Sequence, residues 1–81
     1  MKLKPIASNM TELETDTARI LFSYETPVAA FVFGHHNKAS FRGYIRTNKK
    51  WSVTTSKHIN KWLDGEYAEK VEQTYLDNLV N

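Results

Sequence analysis

Cysteine is missing from this sequence altogether, which excludes a disulfide framework and any thiolate metal site. Glycine occurs only at 34, 43 and 65, a spacing that matches no phosphate-binding loop or dinucleotide fingerprint. No stretch approaches the roughly 18 consecutive apolar residues that a membrane-spanning helix needs. Behind the basic start, Met1-Lys2-Leu3-Lys4-Pro5, there is no apolar region of the kind a signal peptide carries. A cytoplasmic location, away from any membrane, is the expectation. Acidic side chains are also missing, but only from one place: the 38 residues between Glu25 and Asp64 hold none.

What is present in that interval is basic. It carries Lys38, Arg42, Arg46, Lys49, Lys50, Lys57 and Lys61, and all three histidines. The flanks hold the nine acids against Lys2, Lys4, Arg19 and Lys70, so a middle of +7 and flanks of −5 give the net +2. Charge segregated in this way bears on partners rather than on fold.

At 81 residues and 41% hydrophobic, the chain is expected to form a single small domain over 1–81 with one modest core. Its large apolar residues cluster at Ile20-Leu21-Phe22, Phe31-Val32-Phe33 and Trp62-Leu63. Residues 11–17 alternate, with Glu12, Glu14 and Asp16 on one side of an extended segment. Residues 19–24 read as a strand with Ile20, Phe22 and Tyr24 on one face. Pro27 interrupts, because it lacks a ladder donor. Residues 28–33 form a second strand, nearly continuous in hydrophobicity, and 34–39 a polar hairpin loop. Residues 40–47 alternate again, with Phe41, Gly43 and Ile45 opposite Arg42, Tyr44 and Arg46. The clearest helix lies in 51–63, where several hydroxyls can cap it, and runs from about Thr54 to Leu63, with Ile59, Trp62 and Leu63 inward and Lys57 and Lys61 outward. Asp64-Gly65 stops it, glycine taking the left-handed cap. Beyond it, 68–80 is either one helix, or a short strand at Lys70-Val71 before a helix from about Thr74. The expected fold class is α+β: a three- or four-stranded antiparallel sheet with one or two short helices packed on one face.

Phe22-Ser23-Tyr24-Glu25-Thr26-Pro27-Val28-Ala29-Ala30, Gly43-Tyr44-Ile45-Arg46-Thr47 and above all the block from Trp51 to Leu63, WSVTTSKHINKWL, carry a resemblance. Over about 4–65 the chain resembles a family of short, uncharacterised proteins of bacteriophage and prophage genomes. The resemblance implies a phage-type origin and a role in the host bacterial cytoplasm, such as inhibition of host machinery or a defence system. It implies no catalytic or binding residue.

The chemistry in the residues themselves points to binding. Arg42, Tyr44, Arg46, Lys49, Lys50, Lys57 and Lys61 combine positive charge with a stacking ring, the ingredients of a nucleic-acid surface. Lysines on outer faces are also simply solvated, but an ordinary solvated face mixes both signs. Loop histidines describe His35, His36 and His58 better than a metal site does, since adjacent histidines diverge and no carboxylate is near in sequence. Glu12, Glu14 and Asp16 fit a guarded sheet edge better than a cation site. Ser56, His58 and Asp64 lie too close along one helix for a catalytic triad. Trp51 and Trp62 suit the core. The expectation is therefore a protein without enzymatic activity or cofactor. Its partner would be nucleic acid, or an acidic host protein that handles nucleic acid. The alternative is a protein-binding inhibitor using Phe31, Phe33 and Tyr44 as a dry interface.

Overall fold

The computed structural model describes residues 2–33 and 43–80. Six strands, β1 (Lys2–Ala7), β2 (Met10–Glu14), β3 (Ala18–Ser23), β4 (Thr26–Val32), β5 (Gly43–Thr47) and β6 (Glu69–Val71), form one sheet in sequence order. The first five are antiparallel. A crossover through α1 (Val53–Leu63) lays β6 parallel to β5, and α2 (Gln73–Val80) follows.

Two expectations about the sheet need correcting. It has six strands rather than three or four, and one of its junctions is parallel. The helices also do not share a face. One set of alternating residues, Leu13, Ala18, Ile20, Ala30, Val32, Ile45 and Val71, packs with Leu76, Tyr75 and Leu79 of α2. The other, Met10, Leu21, Val28 and Ala29, packs with Ile59, Leu63 and Trp62 of α1. The near-continuous apolar run in β4 is the reason: a strand covered on both sides has no polar face to alternate with. Of the residues expected on one face of β3, Ile20 and Phe22 do share one, but Tyr24 has left the strand for the turn. Pro27 lies inside β4 instead of ending a strand, opposite Phe22 at a register shift where no ladder donor is required.

Helix α1 begins as its hydroxyls suggest. The Oγ of Ser52 accepts from the Thr55 N–H at 3.2 Å. Thr55, Ile59 and Leu63 repeat every fourth residue and form its buried edge. At the far end Asp64, not glycine, is the left-handed cap (φ 50°), and its N–H donates to the Asn60 carbonyl at 3.1 Å; Gly65 follows at φ 86°. Ser52→Ala is expected to cost about 1 kcal/mol and Ser52→Gly a few tenths, measured by urea unfolding.

Deeper along the helix, the buried Ser23 hydroxyl meets the Thr55 hydroxyl at 3.1 Å and His58 Nδ1 at 2.8 Å. This serine–histidine contact ties α1 to β3. The serine is only 2% exposed, so the pairing satisfies buried polar atoms and gives no access to a nucleophile.

Candidate functional site

Strand register builds the surface on the α1 side. Two rows of paired residues cross the sheet there. One runs Lys4, Glu12, Leu21, Ala29, Arg46, Lys70 through all six strands; the next runs Lys2, Glu14, Arg19, Phe31, Tyr44. Helix α1 covers the middle of the first row at Leu21 and Ala29. Phe31, in the second row, belongs to neither core and is only half-buried. The guanidinium of Arg19 lies 5.2 Å from its ring centre.

A chain of rings starts at that phenylalanine. Phe31 is 6.2 Å from Phe33, which is 45% exposed, and 4.7 Å from Tyr44. Tyr44 meets Trp62 of α1 edge-on at 5.8 Å. Trp62 is held in place by its indole N–H, which donates to Glu12 Oε1 at 3.0 Å. Between β1 and the end of α1 these side chains leave an open cleft of about 470 Å³, whose lining includes Lys4, Ile6, Glu12, Arg19, Tyr44, Lys61, Trp62 and Asp64.

Beside the rings, Arg46 is placed between β5 and α1. Its Nη1 approaches Asn60 Oδ1 at 3.5 Å, at the limit of a hydrogen bond, and its Nε is buried without an acceptor. A buried donor left unmatched costs about 1–3 kcal/mol, so this guanidinium is under-satisfied. The register neighbour of Arg46 on β6 is Lys70.

The seven residues singled out in the sequence divide accordingly. Tyr44 and Lys61 line one cleft; Arg46, two residues on from Tyr44 in β5, reaches Asn60, the neighbour of Lys61; and Lys57 lies one turn before Lys61 on the outer side of α1. Lys49 and Lys50 lie past the opposite end of β5 from Tyr44, in the connection to α1. There the Lys49 ammonium sits 4.2 Å from the centre of the Trp51 ring. Arg42 lies outside the described residues, as do Lys38, Phe41 and the pair His35-His36. Among the described residues no group of three His, Asp or Glu could hold a metal ion, and no helix is long and apolar enough to cross a membrane.

Sequence reasoning missed Lys2, Lys4 and Arg19, three cations of the acidic flanks that register carries onto the same face as Tyr44 and Arg46. It also missed their partners: Glu12 and Glu14 do not guard a sheet edge, because β1 covers β2 and pairs Lys4 with Glu12 and Lys2 with Glu14. Charges therefore alternate on the β1–β3 half of this face, while Arg46, Lys70, Lys57 and Lys61 make the β5–β6 half basic. On the opposite side, Glu69 pairs with Ile45, and α2 and its approach carry Glu72 and Asp77 without a cation.

The chain belongs to a family of unknown function, DUF8033, whose model matches residues 1–78. No curated protein and no solved structure matches it.

Proposed function

We propose that this family member binds single-stranded nucleic acid on the α1 side of its sheet, as a binding module without catalytic activity of its own. The observation that carries the reading is the half-exposed ring chain Phe33–Phe31–Tyr44–Trp62 flanked by Arg19, Arg46 and Lys61. Unpaired bases stack on exposed rings, and every base has a face to stack with, while neighbouring cations follow the phosphates. A duplex hides those faces. The surface thus suits single strands better than the helix-in-groove contact that α1 would need to make with DNA.

In a phage-encoded protein, as the resemblance implies, the natural target would be a nucleic acid of the host cytoplasm or a host factor carrying one. The alternating charges of the β1–β3 half favour a second reading, a protein-binding inhibitor, in which the same rings form a dry contact with a host enzyme or defence protein.

Fluorescence anisotropy with labelled single-stranded DNA and RNA oligonucleotides and with a duplex separates the two. The expected result is tighter binding of single strands, weakening as salt rises with a log–log slope of about −0.7 for each phosphate neutralised. An absence of binding to any of these at low salt would remove the nucleic-acid reading and leave the protein partner.

A further inference from the structure

We infer that the cleft between β1 and the end of α1 is a pocket for an amino-bearing nucleobase, with Glu12 as the acceptor that reads it. This rests on the nucleic-acid reading above and gives it a base preference. A stretch of nucleic-acid surface that did nothing but hold phosphates would gain by excluding carboxylates, yet Glu12 and Asp64 both line this cleft. Glu12 is moreover fixed there: one oxygen accepts the Trp62 indole N–H at 3.0 Å, and Lys4 is its register neighbour on β1. An ionised carboxylate has about four acceptor sites on its two oxygens, so the indole leaves capacity for a second donor.

The remaining lining supplies the other parts of a nucleotide site. Tyr44 and Trp62, set edge to face, offer ring surface. Lys4, Arg19 and Lys61 supply cations for the phosphates on either side. At about 470 Å³ the cleft lies within the range of small-ligand sites. A carboxylate accepts from the exocyclic amine of cytosine and repels the carbonyl that thymine presents at the same position. Cations for the backbone and a fixed acceptor for the base together fit an amino-bearing nucleotide, and fit a thymine or uracil poorly.

The test compares labelled oligo-dC and oligo-dT of equal length by anisotropy, with wild-type protein and Glu12→Gln. The glutamine carbonyl can still accept from Trp62, which keeps the indole in place, but the group then turned to the cleft is a donor. Wild-type protein is expected to prefer oligo-dC by about five- to tenfold, the lower part of the range for one base contact. Glu12→Gln is expected to abolish or reverse that preference. Equal binding of the two oligonucleotides by the wild type, or an unchanged ratio in Glu12→Gln, overturns the base pocket and leaves the general nucleic-acid reading standing. Failure of both oligonucleotides to bind at low salt overturns both. Near-ultraviolet circular dichroism of the variant, which reports the Trp62 environment, shows whether a lost preference comes from a displaced indole. Should it be displaced, Glu12→Asp, which keeps the charge on a shorter side chain, is expected to retain a dC preference, and its failure to do so counts against the pocket.

Discussion

Leu21→Ala is expected to remove about 3–5 kcal/mol of stability, and Leu76→Ala a comparable amount. Both side chains are fully buried, on opposite faces of the sheet. Leu21 sits at the centre of the row beneath α1, with Ala29 beside it and Ile59 and Leu63 above. On the β4 side the alanine neighbour has no long side chain to swing into the gap, so a cavity term adds to the lost transfer energy. A chain of this size has roughly 4–12 kcal/mol in total. Either substitution should therefore lower Tm by more than about 12 °C, or leave the variant unfolded at 37 °C. Leu3→Ala is the control: at 69% exposed it should change stability by less than about 0.5 kcal/mol. Thermal and urea unfolding followed by circular dichroism reads all three. A tolerated Leu21→Ala beside a damaging Leu76→Ala would mean that α1 does not close its face of the sheet.

That two-sided core is also where the sequence was hardest to read. Strand β3, strand β4, the described part of β5 and the helix ending at Leu63 are legible because each shows either a β-branched and aromatic run or a fourfold repeat behind a capping serine. Strand β1 is not: Lys2-Leu3-Lys4-Pro5-Ile6-Ala7 mixes charge and proline in the way that edge strands do, and all six of its residues are exposed, so no buried stripe announces it. Strand β6 is three residues long, too short for a period to appear. Of the two arrangements open for 68–80, strand then helix is the one the chain adopts, and the parallel pairing it makes needs a crossover that no local pattern encodes. The candidate site suffers from the same blindness. Tyr44 and Arg46 share a face by simple alternation and were legible. That Arg19 lies beside Phe31, or Lys4 beside Glu12, follows only from which strands pair and in what register, and a shift of one residue would send each to the other face.

Exchanging two of the cations beside the rings, one on β5 and one on α1, tests whether these positions have a purpose. Arg46→Gln with Lys61→Gln is expected to weaken binding of a single-stranded oligonucleotide by about a hundredfold near 50 mM salt, and to make the log–log salt slope shallower by about 1.4. The reasoning is electrostatic: each phosphate contact on a single strand contributes about 0.7 to the slope, which near that salt concentration is close to a decade of affinity. Stability should hardly move. Lys61 is exposed, and removing Arg46 deletes a buried Nε that has no acceptor, so the usual penalty for a lost hydrogen bond does not arise. Lys49→Gln with Lys50→Gln removes the same formal charge from the connection past the end of β5 that lies away from Tyr44, and should leave the slope nearly unchanged. Equal losses from the two pairs would mean that only net charge attracts the ligand, with no contribution from the positions that β5 and α1 give to Arg46 and Lys61.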